Sequence, residues 1–161
     1  MAKIDLSQQL SKLFEPIRQN RFYLEVDGVP SWIVKTFQRP KVTNGSIEID
    51  YINVKRYLAG KTSMNAITMT LHDPIETSGK QAVQAWQKAV YDLQTGRAGY
   101  SDDYMREITI KELSPAGDII SEIVLHRTFP TEVDFGNYDY ASADPVEISL
   151  TLQYDGYEIK S

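Results

Sequence analysis

The closing stretch ADPVEISLTLQYDGYEI, residues 143–159, constrains the fold of this chain more than any other part of it. Val146, Ile148, Leu150, Leu152 and Tyr154 alternate with Glu147, Ser149, Thr151, Gln153 and Asp155. A period of two belongs to an extended strand, whose successive side chains point to opposite faces, so the apolar set must be core. The other set is polar throughout and holds no Lys or Arg, the residues that usually blunt a solvated strand. What that polar face looks at is the question the rest of the chain has to answer.

Similar alternation recurs upstream. RFYLEV and VPSWIVKTF flank Asp27-Gly28, a hairpin signal, with Pro30 marking an edge or bulge position. From Gln38 to Lys61 the pattern loosens around the breakers Pro40 and Asn44-Gly45, while Ile47, Ile49 and Tyr51 alternate with Ser46, Glu48 and Asp50. This segment is expected to be a long hairpin or extended loop, an arm over residues 40–62. NAITMTL is a strand with Ile67, Met69 and Leu71 on one side. MREITIKEL and IISEIVLHRTF make a hairpin around Pro115-Ala116-Gly117-Asp118, and FPTEVDFGNYDYASADP is expected to be a turn-rich passage.

Two helices are expected among these strands. Asp5 caps a short one over residues 5–14 that buries Leu6, Leu10 and Leu13, bounded by Pro16. A longer one over residues 79–93 starts at a capping box of Ser78 and Gln81 and carries Val83, Trp86, Val90 and Leu93 as an apolar core stripe. QTGRAGYSDD after it is a polar loop. About seven or eight strands, mostly in hairpin order, with one longer helix and a short N-terminal helix, give a mainly β fold whose sheets are largely antiparallel. No internal repeat or linker divides residues 1–161, so a single domain is expected, long enough to bury about 68–70% of its unfolded surface.

The residues that carry chemistry elsewhere are not arranged for it here. The chain has no cysteine, which excludes thiol catalysis and cysteine-held zinc and suits a reducing compartment. AGKT at 59–62 resembles the end of a phosphate-binding loop, but Lys55 stands where its first glycine is required. The two histidines, His72 and His126, lack metal-ligand spacing and are expected to be structural. Asp102-Asp103 is expected to be a solvated turn. Asn44-Gly45-Ser46 matches a glycosylation acceptor without a secretory signal. The ten tyrosines fit half-buried sheet positions better than a sugar-binding surface. No enzyme, metal or cofactor is expected. A net charge of -5 argues against a protein held to nucleic acid by phosphate contacts. No apolar run approaches ~18 residues, and MAKIDLSQQLSKLF has helical spacing instead of a signal-peptide block, so a soluble intracellular product is expected.

Charge placement is more informative than net charge. Between Lys35 and Lys61 lie Lys35, Arg39, Lys41, Lys55, Arg56 and Lys61, opposed by Glu48 and Asp50 alone. After Arg127 no basic residue occurs before Lys160, while Glu132, Asp134, Asp139, Asp144, Glu147, Asp155 and Glu158 are acidic. A basic middle and an acidic end are complements, and on opposite ends of one subunit they let copies stack head to tail. On charge alone, a solvating or internally salt-bridged surface explains them more simply.

The order of features adds a resemblance. A short helix precedes the RFYLEV strand and a strand closed by FQRP. A long basic loop, a strand ending in LHDP, a helix carrying AVQAWQKAV, a late FPTEV turn and a long alternating final strand follow. In that order they resemble the tail tube protein of contractile-tailed bacteriophages over nearly the whole chain. The resemblance implies a small β-sandwich or half-barrel with one flanking helix, and hexameric rings in which each subunit adds strands to one continuous β-barrel around a channel. It implies rings stacked into the inner tail tube inside a contractile sheath, with DNA passing down the lumen. Implied partners are further copies of the chain, the tail sheath protein, a baseplate or tube initiator, a tape measure protein in the lumen and DNA in passage, with no membrane insertion. The implied location is the virion, after assembly in the host cytoplasm.

On this reading Glu147, Ser149, Thr151 and Gln153 line the lumen, where hydroxyls, amides and carboxylates do not hold phosphates. Lys41, Lys55, Arg56 and Lys61 meet Asp134, Asp139 and Asp144 across stacked rings. Lys111 departs from the pattern and is expected to pair with Glu107 or Glu112. A tube initiator of the baseplate and a type VI secretion needle are implied alternatives, and a glycan-binding β-sandwich using the tyrosines and Trp32 is a more distant one.

Overall fold

The computed structural model describes residues 2–11 and 14–161. Helix α1 (Leu6–Leu10) opens the chain, and the Asp5 carboxylate accepts the Ser7 backbone N–H at 3.0 Å as the expected cap. Its leucines are not buried, however: Leu6 is 69% and Leu10 71% exposed. Five residues offer too little apolar area to hold such a short helix against a body. Leu13 lies outside the described residues.

Strand β1 (Phe22–Val26) ends in the Asp27-Gly28 turn, where the Val29 N–H reaches the Val26 carbonyl at 3.2 Å and Gly28 supplies a φ of 79°. The turn forms but the expected hairpin does not. Beyond the Val26–Val29 bridge, Pro30 lacks a donor and a 3₁₀ turn, η1 (Ser31–Ile33), redirects the chain. Strand β2 (Val34–Phe37) then joins a different sheet. Strands β3 (Lys41–Tyr51) and β4 (Val54–Asn65) pair with each other in a long ribbon. Strand β5 (Ile67–His72) buries Ile67, Met69 and Leu71, as its alternation predicts.

Helix α2 spans Ser78–Val90. Its start is not a capping box: Thr77 is the N-cap with φ 64°, and the Ser78 hydroxyl instead lies 3.1 Å from Glu76. Val83 and Trp86 are buried and Val90 is half-buried, but Leu93 is 80% exposed. The helix ends early because Tyr91–Asp92 (β6) pairs with Arg97–Ala98 (β7), turning Leu93 outward in a small hairpin. Gly99 returns against the helix so closely that a Cβ there would lie 2.0 Å from the Ala89 carbonyl oxygen. Helix α3 (Ser101–Tyr104) follows, so the expected loop is partly structured.

The remaining strands are β8 (Arg106–Leu113), β9 (Ile119–Asp134), β10 (Glu147–Gln153) and β11 (Gly156–Lys160). The β8–β9 hairpin turns at Pro115–Asp118 as expected, with the Ser114 N–H on the Asp118 carbonyl at 2.8 Å. FPTEV is not a turn but strand. Pro130 stands opposite Leu152, where the register slips by one and Thr131 is the extra residue, a bulge that tolerates a missing donor.

Strand β9 is the spine. Residues 122–126 pair with β11 and residues 129–134 with β10, so β10 and β11 run end to end along one edge of it. Between them the paired strands bend together: Arg127 has φ 54°, and its guanidinium meets Asp155 at 3.0 Å. One sheet holds β1, β8, β9 and β11, and the other holds β9, β10, β5 and β2, all antiparallel. Strands that change sheet at a bend make the corner of a sandwich or half-barrel. Leu24, Ile108, Ile110, Ile123 and Leu125 of one sheet pack with Ile67, Met69, Leu71, Ile148, Leu150 and Leu152 of the other, and Val83 and Trp86 join the same core.

Candidate functional site

The expected polar face exists as a surface of several strands. Strand β10 is central, so Ser149 and Thr151 each have a cross-strand neighbour on both sides. Ser149 stands across from Thr70 and Asp134, Thr151 from Thr68 and Glu132, and Glu147 from His72. All four of Glu147, Ser149, Thr151 and Gln153 are half-buried, while Ile148, Leu150 and Leu152 on the reverse are fully buried. Lys35 joins this face from β2 and is ion-paired with Glu147, which satisfies the cation locally. The surface is therefore a field of hydroxyls and carboxylates whose lysine is already paired.

Gln153 has a further contact that the alternation does not reveal. Its amide donates to the Met64 carbonyl at 2.9 Å, at the root of the β3–β4 ribbon. Next to it the buried Tyr154 hydroxyl accepts the Lys41 N–H at 2.9 Å and donates to the Lys41 carbonyl at 3.1 Å. Gln153, the last residue of β10, and Tyr154 just after it thus hold both strands of the ribbon where it leaves the body.

Beyond that root every residue of β3 is exposed. Register puts Ile47 opposite Leu58, Ile49 opposite Arg56 and Tyr51 opposite Val54 on one face, with Arg56 lying over the Tyr51 ring at 5.9 Å. The reverse face carries Glu48 and Asp50 opposite Tyr57 and Lys55, with Lys55 and Glu48 paired at 3.6 Å. The ribbon is amphipathic, and its apolar stripe is bare: Ile47 is 53%, Leu58 58% and Tyr51 62% exposed. Of the four cations expected to face a neighbour, Lys55 and Arg56 are engaged within the ribbon.

Asp134, Asp139 and Asp144 lie in or beside the exposed loop between β9 and β10. The Asp134 carboxylate accepts the Gly136 N–H and the Asp139 carboxylate the Ala141 N–H, each at 2.9 Å. Lys111 does not pair with Glu107 or Glu112. It points across to β1 and meets Glu25 at 2.9 Å, and this hydrogen bond raises the pKa of its ammonium. Glu112 faces inward on β8, 4% exposed, where it accepts from Arg39 at 2.7 Å and from Ser121 at 3.0 Å. The sequence does carry this signal, because Glu112 continues the alternation of Ile108 and Ile110.

The residues weighed for chemistry are scattered. His72 is exposed at a strand end, His126 lies between Glu107 at 3.4 Å and Glu158 at 3.8 Å, and Asp102 and Asp103 are exposed on α3. Among the described residues no three His, Asp or Glu side chains gather as a metal site. The AGKT stretch lies within strand β4, and Asn44-Gly45-Ser46 lies within strand β3, where Gly45 faces Gly60.

No family model and no curated relative matches the sequence. Solved structures do share the fold. A sheath/tube terminator of an extracellular contractile injection system, in its extended state, matches with a TM-score of 0.74 at 20% identity, over 92% of this chain and 99% of that one. A chain of the sheath-tube complex of the same kind of system matches with a TM-score of 0.68 at 20% identity, over 99% of both chains. The SPP1 tail tube matches with a TM-score of 0.55 at 14% identity, over 91% of this chain and 80% of that one. At these identities the likeness is one of fold, and the fold is that of components of contractile injection systems and phage tails.

Proposed function

We propose that this chain is a structural subunit that assembles with copies of itself into stacked rings, forming the inner tube of a contractile tail or injection particle. The observation that carries this reading is the bare apolar stripe of the β3–β4 ribbon. A two-stranded ribbon alone in water is marginal, and one that exposes Ile47, Ile49, Tyr51, Val54 and Leu58 needs a neighbour to cover it. The fold likeness supplies the kind of neighbour. The rings are hexameric on the resemblance already drawn, and the sheath, a baseplate initiator and a tape measure protein are the further partners.

In that assembly Glu147, Ser149 and Thr151 face the bore with Gln153 at its margin, and the cargo is DNA. A wall of hydroxyls and carboxylates, its lysine paired with Glu147, gives a polyanion nothing to bind. A second reading, a terminator that caps the tube, is favoured by the higher TM-score of the terminator match. The tube reading is preferred because the sheath-tube match spans 99% of this chain against 92% for the terminator.

Negative-stain electron microscopy and sedimentation of the purified chain test the proposal. Long tubes are expected on concentration, single rings that never elongate favour the terminator, and a monomer at every concentration overturns both.

A further inference from the structure

The open edges of the two sheets, β1 and β2, border a groove of about 1010 Å³ whose far wall is the segment following α1. Its apolar lining includes Phe14, Ile17, Phe22, Phe37 and Ile110, and Phe14 is 82% exposed. Four cations, Arg18, Arg21, Lys35 and Arg39, line it against two carboxylates, Glu15 and Glu112; Arg39 is paired with Glu112, Lys35 with Glu147, and Arg18 lies 4.0 Å from Glu15. A groove with aromatic surfaces and an excess of guanidinium groups suits an acidic, aromatic ligand.

The chain carries one segment of that description. Residues 134–144, DFGNYDYASAD, hold three aspartates and no cation. Tyr138 is 88% and Tyr140 114% exposed, so neither ring packs on its own subunit. Internal hydrogen bonds from Asp134 and Asp139 shape this loop without burying it, leaving the Tyr rings and Asp144 presented outward.

We propose that the loop of one copy docks in the β1–β2 groove of a second copy, its tyrosines on the aromatic and guanidinium surfaces and its aspartates toward Arg18 and Arg21. This rests on the self-assembly proposed above but reassigns the partner of the loop. Cations are engaged at both candidate surfaces, Lys55 and Arg56 within the ribbon and Arg18, Lys35 and Arg39 at the groove, so paired charge does not decide between them. The groove offers what the ribbon lacks, a concave site in which aromatic rings lose water while the flanking charges pair. The contact joins two different patches of identical chains, so made in one direction it propagates as a ring or stack.

The absence of cysteine in the chain permits a clean test by disulfide trapping. One full-length variant carries Gln19→Cys at the groove and another carries Asn137→Cys in the loop, which leaves the proposed charges and rings in place. Mixed under mild oxidation, these must bridge between copies if they bridge at all. The expected result is trapping at least tenfold faster than for Gln19→Cys mixed with Ile75→Cys, an exposed site elsewhere. Adding Arg18→Glu and Arg21→Glu to the groove chain should abolish that advantage, and high salt should reduce it. Equal trapping rates for the two mixtures overturn the proposal. So does a chain bearing both cysteines that closes on itself at high dilution, which would make the loop a cover for its own groove. Wild-type tubes without preferential trapping refute this contact alone, whereas preferential trapping without tubes refutes the tube and leaves the contact standing.

Discussion

Single side chains decide how the body of the subunit holds together. Trp86 is fully buried, its indole N–H reaches the Tyr104 carbonyl at 2.7 Å, and the Arg106 guanidinium lies over its ring at 4.8 Å. Trp86→Ala removes the apolar volume and leaves that carbonyl unpaired, so urea denaturation should show a loss of about 3–5 kcal/mol. A variant of unchanged midpoint would place the helix outside the core. Burial also lowers the Arg106 pKa, and its hydrogen bond to the Asp27 carbonyl at 2.7 Å ties β8 to the first turn. Glu112 is the other buried anchor. Glu112→Ala should cost about 1–3 kcal/mol by the same measurement, because Ser121 and Arg39 both lose their acceptor. No loss would mean that water replaces the carboxylate without cost. The Trp86 stripe is legible from helical spacing, whereas Glu112, expected only as a partner for Lys111, continues the alternation of Ile108 and Ile110 into the core. Leu93 was misplaced because periodicity does not register the hairpin that ends the helix at Val90.

Whole elements were legible where the alternation of a strand matched its burial, as in β5, β8 and β10. They failed where long-range pairing overruled a local signal. Asp27-Gly28 makes its turn, yet β1 pairs with β8 and β2 with β5, partners far away in sequence. FPTEV contains a proline, a local turn signal, but a bulge opposite Leu152 absorbs it within β9. The ribbon was legible in outline, and its attachment through Gln153 and Tyr154 was not, because nothing in an alternation names a partner across the fold. Its apolar stripe leads to an expectation at this scale. In the free subunit, backbone amides of residues 45–60 should exchange rapidly, since the ribbon is held at its root and exposed beyond it. In the assembled form they should be protected, and hydrogen exchange on the two states reads the difference directly. Equally strong protection in both would show a ribbon that is rigid without a neighbour. Ile47→Asp with Leu58→Lys should leave the denaturation midpoint of the body within about 1 kcal/mol while preventing tubes from forming, because these exposed positions touch no core.

At the scale of the molecule, the closing strand joins the two halves of the account. Its apolar side cements the sandwich, and its polar side belongs to a surface that the proposed tube turns toward a channel. Ser149→Arg with Thr151→Arg should therefore fold normally and still assemble, because half-buried hydroxyl positions opposite the core accept a long side chain that extends into water. Each subunit then contributes two cations to the bore, and DNA should be retained in tubes at low salt and released at high salt. Tubes whose behaviour toward DNA is unchanged at every salt concentration would place these positions away from the channel. The central claim is that this polar face lines a channel built from many copies, and electron cryomicroscopy of the assembled wild-type chain tests it most directly. The expected result is a helical tube whose bore is walled by Glu147, Ser149 and Thr151, with each β3–β4 ribbon covered by an adjacent subunit. A reconstruction in which those side chains face the outside of the assembly, or in which the ribbon stripe remains bare, would contradict it.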